Sequence, residues 1–513
     1  MGEVNQMKAA RIFQSGMVLQ REKPVPVWGT AQSGKQITVE IQGKIGKTKA
    51  SADGSWSVML PPLSASESER MEIRCEADEI VLEDITVGEV WVAAGQSNME
   101  FYMRYEKHLA QEKPDCANPH VRFFDVPEAA FDWQEENFDY SRMAVWRKAS
   151  PENIEYFSAA GYYFEKKLEK SLDVPVGIIG CSWGGTSSSS WMSGDSVRKA
   201  GRPWMERYEN LVQGMDMDVY WEGQKKNPMN GRGNPFADAF SEMMLPRTPS
   251  SEEIDAFFAA SPDAGAPPVL QPQAVPGILY EHMVKSIAPY GIRGVLWYQG
   301  ENDDELNRQE LYEAMLKALL SDWRMLWGDE NLPFLVVQLP GWESWFGIEN
   351  QGWQIIRRCQ ENVVRQDKNA YLCSISDAGE QYDIHPKNKK IAGERLALLA
   401  LGHIYGKELL CDAPRLKNAS RRGNEIRLHF ENADGGLFVK GEQIQALRLL
   451  LMDNGTAGRE LSFTAVIKED TICIKLHEKA EGEILVQFAQ EKFYQVNLYN
   501  QSEIPAVPFQ TEV

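Results

Sequence analysis

Ser97 stands in the stretch VWVAAGQSNMEF, residues 90–101, where a short apolar run meets Gly95 and a helix-like segment follows. A serine at the end of a buried strand can present its hydroxyl as a nucleophile. Serine and asparagine also begin helices, because their side chains accept backbone N–H bonds, so the stretch alone reads first as a helix cap. A nucleophilic serine needs a base and a group to orient that base. Of the seven histidines, His429 and His477 fall in predicted strands and His403 on a helix that reads as packing. His282 lies near a helix, and His108 and His120 lie in loop-like sequence. His385 differs: it sits in SISDAGEQYDIHPKNKKIAG, after a predicted buried strand and before a helix, with Asp383 two residues earlier and Asp377 and Glu380 upstream. A carboxylate so close can turn back on the imidazole and stabilise its protonated form. The competing reading is a turn in which Asp383 caps the next segment.

Two further loops share this strand-end address. Gly184 and Gly185 follow VPVGIIG in CSWGGT; paired glycines let a backbone approach a ligand and aim N–H groups at an oxyanion. After IRGVL comes WYQGEND, which supplies amide donors in Gln299 and Asn302. Nucleophile, oxyanion donors, base and orienting carboxylate are the parts of an acyl-transfer site.

The elements that must position these residues are legible as rhythm. EVWVAA, VPVGIIG, IRGVLWYQ, LPFLVVQLP and AYLCSIS are short apolar runs bounded by turn residues, as buried parallel strands are. FSAAGYYFEKKLEKSL, ELYEAMLKALLSDWRMLWG and KKIAGERLALLALGHIYG between them have helical character. Strand alternating with helix predicts an α/β domain over residues 87–411, with reactive groups at the carboxyl ends of its strands. Residues 1–86 read as short alternating strands, an N-terminal β-sandwich module, and 412–513 as a second all-β module. The stretch of about 193–276 breaks the pattern and reads as a loop-rich insertion.

Composition narrows the partners. The 513 residues carry a net charge of −20, which argues against nucleic acid and anionic membranes, since both need a cationic face. No apolar run approaches a membrane span, and MGEVNQMKAARIF has no apolar signal region, so the sequence predicts a cytoplasmic protein. The seven cysteines are scattered, which fits reduced thiols. Without an HExxH, a cysteine cluster or an EF-hand loop, no metal or other cofactor is expected.

GQSNM, SWGGT, WYQGEN and DIHP, in that order, resemble the four signature blocks of the SGNH hydrolase superfamily, and more closely the sialate O-acetylesterase type of carbohydrate esterase. MVLQREKPVPVWGTA, DGSWSVMLPPL, LYEHMVKSIAPYGIRGVLWYQGE and PFLVVQLP extend the resemblance over roughly residues 10–400. It implies a three-layer α/β hydrolase with a flavodoxin-like parallel sheet, flanked by the two β modules. It implies Ser97 as nucleophile, His385 as base and Asp383 as its orienting carboxylate. Tyr382 occupies the position three before His385, where the superfamily often places the aspartate, and Asp377 is the alternative. The oxyanion donors implied are the Ser97 N–H, Gly184 or Gly185, and Gln299 or Asn302. Trp183, Trp191 and Glu301 are candidates for touching a sugar; tryptophans beside buried strands are more often core. The activity implied is removal of acetyl groups from sugars, either plant oligosaccharides such as xylo-oligosaccharides or O-acetylated sialic acid. A catalytically inactive carbohydrate-binding protein and a lipase or thioesterase are the competing classes.

Overall fold

The computed structural model describes residues 6–76, 78–132, 134, 143–226, 239–250, 252–254, 256, 270–305, 308–453 and 455–513. The chain is mixed α/β and divides into two compact units, Met1–Tyr298 with Ala314–Phe334, and Gln299–Glu313 with Leu335–Val513.

The first unit begins with two small sheets. Lys8–Ala9, Val25–Thr30 and Ser55–Leu60 form one; Gln36–Ile41 lies between Lys44–Lys49 and Ser66–Cys75 in the other. SWSVML alternates exposed and buried, turning Trp56, Val58 and Leu60 inward as a half-buried strand must. Gln42 and Gly43, both at positive φ, make the tight turn between the paired strands.

The strand Asp78–Gly95 organises the rest of this unit. Its first part pairs antiparallel with Ser66–Cys75. Its last part pairs parallel with Val176–Ser182 and with Gly294–Tyr298. It therefore runs without a break through positions 86 and 87, where the sequence rhythm suggested a boundary. Gly88 serves close approach, since a Cβ there would lie 1.9 Å from the Pro175 carbonyl oxygen. The strand order is Arg147–Ala149, Asn118–Asp125, Val176–Ser182, Asp78–Gly95, Gly294–Tyr298, parallel except for the first, edge strand. Gly95 is in register with both Ser182 and Tyr298, so three strands end level and release their loops together.

The helix Ala159–Leu172 packs on this sheet, its start capped by the Ser158 hydroxyl, which accepts the Gly161 N–H at 3.1 Å, and its end marked by left-handed Asp173. It carries Glu165, which is completely buried and whose carboxylate oxygens have no hydrogen-bond partner among the described residues. Burial, and then the charge of Asp125, push its carboxyl well above the ordinary 4.5. The folded chain thus keeps a proton that the unfolded chain loses, so stability falls as pH rises above about 4.5, by about 1.4 kcal/mol per unit until the folded carboxyl ionises. Glu165→Gln is expected to remove this slope; urea midpoints at pH 5 and pH 8 that stay as far apart in the variant as in the parent would refute it.

Within the stretch of about 193–276, expected to be loop-rich, the described residues include helices at Gly194–Ala200, Arg202–Val212, Met217–Lys226 and Ala239–Met244. Ser193 caps the first, and Asp322 holds it by accepting the Ser193 N–H and the Ser196 hydroxyl, each at 2.7 Å. Trp204 and Met205 bury the inner face of the second. The polar run GQKKNPMNGRGNP from residue 227 onward, and 257–269, lie outside the described residues.

In the second unit the strands Phe334–Val337 and Ala370–Cys373 are neighbours. The helices Trp353–Gln366 and Lys389–Leu399 follow them in the chain, the latter continuing as a π-helical turn, Ala400–Ile404. From Arg415 two four-stranded antiparallel sheets enclose one apolar core that includes Leu428, Leu449, Ile472, Val486 and Phe488. Among the described residues no helix is long and apolar enough to cross a membrane.

Candidate active site

In the first unit the corner at Ser97 is forced by Gly95. Its φ is +140°, and a Cβ there would lie 2.1 Å from the Tyr298 carbonyl oxygen, so glycine alone fits. The Gln96 N–H donates to that same carbonyl at 3.2 Å, and the Gln96 carbonyl accepts the Met99 and Glu100 N–H groups at 2.8 and 3.0 Å. Gln96 is thus the N-cap, and half-buried Ser97 is the first residue of a single helical turn, Ser97–Glu100. The cap expected of Ser97 is not there: the backbone of its neighbour does that work.

The glycine loop closes on this corner. The Trp183 N–H donates to the Gly95 carbonyl at 3.2 Å, and a Cβ on Gly184 would sit 3.2 Å from the Ser97 Cβ. Sequence blocks 87 residues apart, Ser97 and Gly184, are brought into contact. The Gly184 N–H, however, donates to the Glu100 carboxylate at 2.6 Å. That removes Gly184 from the candidate oxyanion donors in this conformation and leaves exposed Gly185, at φ +70°. Trp183 is half-buried at the loop. Trp191 is completely buried, its indole N–H donating to Thr186 at 2.9 Å and its ring edge-on to Trp297. Its assignment as a sugar contact is corrected to core packing.

In the second unit Gly300, at φ +141°, turns the chain after Gln299. Gln299 is completely buried; its amide donates to Asp303 at 2.6 Å, and its carbonyl accepts the Tyr312 hydroxyl at 3.0 Å and the Gln360 amide at 3.1 Å. Asn302, in the short 3-10 turn Glu301–Asp303, is exposed, while Glu301 is buried. Of the two amides, Asn302 is the one that faces solvent.

His385 and Asp383 are both buried. Asp383 Oδ1 accepts the backbone N–H of His385 at 2.8 Å and stands 3.7 Å from its Nδ1, while Oδ2 pairs with Lys387 Nζ at 2.9 Å. Burial opposes ionisation of Asp383, but His385 and Lys387 overcome it and hold the carboxyl down at about 2. Burial lowers the imidazole to about 4; Asp383 opposes this and the Lys389 charge adds to it. Lys389, buried at the start of its helix, is itself lowered to about 7 by burial and by Lys387, against the pull of Glu301, Asp383 and Glu380. Asp377, the alternative orienter, is committed elsewhere: it makes a two-pronged pair with Arg395 at 2.7 and 2.8 Å and accepts the Tyr499 hydroxyl at 3.1 Å.

Spacing missed Glu100, Lys387, Lys389 and Trp345. Trp345 lies in the hairpin Ser344–Trp345/Ile348–Glu349, whose turn residues Phe346 and Gly347 have positive φ. Its ring stands edge-on to the His385 ring, centroids 5.0 Å apart. The available signal was GWESWFG, an aromatic cluster just past a strand end.

The family model described as carbohydrate esterase, sialic acid-specific acetylesterase matches residues 87–225 and 264–401, more than half of the chain. The chain belongs to this family. The esterase is 26% identical over 433 residues to the sialate O-acetylesterase of Rattus norvegicus, covering 78% of this chain and 74% of the relative. It is 25% identical over 438 residues to that of Homo sapiens, covering 78% and 72%. A solved carbohydrate acetylesterase from Xanthomonas citri superposes with a TM-score of 0.76 at 27% identity, covering 98% of the esterase and 99% of that chain. The esterase is accordingly a hydrolase of the acetylesterase class.

Proposed function

We propose that this esterase removes O-acetyl groups from carbohydrates by a serine mechanism on a three-layer SGNH-type core. The observation that carries the reading is the Ser97 corner: a glycine-only backbone turn that lifts the serine out of the cap position and sets Gly184 against its Cβ. His385, neutral near pH 7, takes the Ser97 proton as Oγ attacks the acetyl carbonyl. The Ser97 N–H, the Gly185 N–H and a side-chain amide, Asn302 or Gln299, stabilise the oxyanion. Collapse expels the sugar hydroxyl, which receives the proton from His385. Water, deprotonated by the same imidazole, then frees acetate and restores Ser97. Asp383 stabilises the imidazolium at each stage. Half-buried Trp183 and Trp345 offer apolar faces for a sugar ring.

The test is acetate release from acetylated xylo- and manno-oligosaccharides, from O-acetylated sialic acid, and from 4-nitrophenyl esters of acetyl to octanoyl length. Cleavage restricted to acetyl esters, with one sugar class preferred, is the expected result. Preference for long acyl chains, or no hydrolysis by folded protein, overturns it.

A base works only when unprotonated, so kcat/KM should fall as pH drops through the folded value of His385, about 4 rather than the free value of 6.5. Lys389→Met removes a charge that holds the imidazole down, and the acid limb of the profile should move toward neutrality. An acid limb at 6.5 in the parent, unmoved in the variant, would defeat this account.

A further inference from the structure

Outside the proposed catalytic residues, the second unit gathers three different metal-binding donors at the end of the helix that begins just after His385. His403 Nε2 lies 2.9 Å from Asp412 Oδ2, and Cys411 Sγ 3.8 Å from the same oxygen. All three donor atoms lie within 4.8 Å of one another. We propose that His403, Cys411 and Asp412 form a zinc site, with the fourth position open to water.

The geometry is close to what zinc requires. Bond lengths of about 2.0 Å to nitrogen or oxygen and about 2.3 Å to sulfur, at tetrahedral angles, separate ligand atoms by roughly 3.3–3.6 Å. Small shifts of the exposed His403 and half-buried Asp412 side chains reach that spacing. The nitrogen–sulfur–carboxylate set selects zinc over magnesium or calcium, which take oxygen ligands.

The surroundings hold the donors in place. The π-helical turn Ala400–Ile404 widens the helix where His403 projects. Tyr371 stacks on the imidazole with centroids 4.0 Å apart and planes within 18°, which fixes the ring. Gly402 admits the thiol, since a Cβ there would lie 2.4 Å from Cys411 Sγ. The His403 and Asp412 side chains keep 27% and 29% of their surface exposed, which leaves zinc an entry path to the buried sulfur. A zinc-bound sulfur is a thiolate, so a cation entering here replaces the Cys411 thiol proton. Binding releases that proton to solvent and forms the zinc–sulfur bond; no electron moves. Zinc there would bridge the end of the Lys389–Leu399 helix to the segment entering the C-terminal sheets and would use none of the proposed catalytic residues.

The test uses the full-length protein stripped with chelator and dialysed against zinc chloride, with bound zinc counted by mass spectrometry. One zinc per chain is expected, lost in Cys411→Ser and in His403→Ala and kept in Cys473→Ser, a control at a cysteine elsewhere. Cobalt chloride added to the unmutated apoprotein should give a thiolate-to-cobalt absorption band, which reads the site even if a variant misfolds. Absence of that band, or zinc retention undiminished in the folded Cys411→Ser variant, overturns the proposal.

Discussion

Ser97→Ala is expected to lower kcat for acetate release by about 10⁴–10⁶-fold while leaving the fold and the thermal midpoint near those of the parent. The serine sits at the start of a single helical turn whose cap is supplied by the Gln96 backbone, so the deletion takes one hydroxyl and leaves those backbone bonds in place. His385→Ala should cost a similar factor, and the double variant little more than either alone, because nucleophile and base act as one unit. Rates that fall by the product of the two single losses would mean that the residues work in separate steps. Full activity in Ser97→Ala would remove the serine mechanism altogether.

The second large effect separates two aspartates. Asp383→Asn should reduce kcat by about 10²–10⁴-fold, since it removes the charge that stabilises protonated His385. Asp377→Asn should spare kcat and instead destabilise the protein by about 3 kcal/mol, because it leaves the largely buried Arg395 without its two-pronged partner. Rate constants with a saturating 4-nitrophenyl acetate series, taken beside denaturant midpoints, read both effects. The opposite pattern would make Asp377 the orienter and Asp383 a clamp for Lys387.

Much of this was legible in the sequence, because strand ends announce themselves. The apolar runs before GQSNM, SWGGT and WYQGEN are short and stop at glycine or turn residues, and the structure ends their strands in register at Gly95, Ser182 and Tyr298. What stayed hidden depends on contacts between residues distant in sequence. No spacing rule shows that the Glu100 carboxylate takes the Gly184 N–H, or that Trp191 turns inward against Trp297. The change of rhythm at residue 87 does not show that the strand runs on through Gly88, which clears space for the Pro175 carbonyl. The helices after Ser193 were masked by polar composition, their inner faces marked by few apolar residues. His403 was read as packing, since a helical period says which residues share a face but not which of them reach solvent.

The uninterrupted strand Asp78–Gly95 bears on the engineering of this protein. Accessory modules joined by linkers can be gained, lost or traded between genes without harm to the enzyme they accompany. Here a strand of one N-terminal sheet and the Ser97 corner are written on one length of backbone. A joint between residues 78 and 87 would break the antiparallel pairing with Ser66–Cys75, and one between 89 and 95 would truncate the middle strand of the central sheet. A minimal enzyme cut at residue 87 loses Ser66–Cys75 and Val18–Gln20, which pair with this strand, and should be insoluble rather than merely slower.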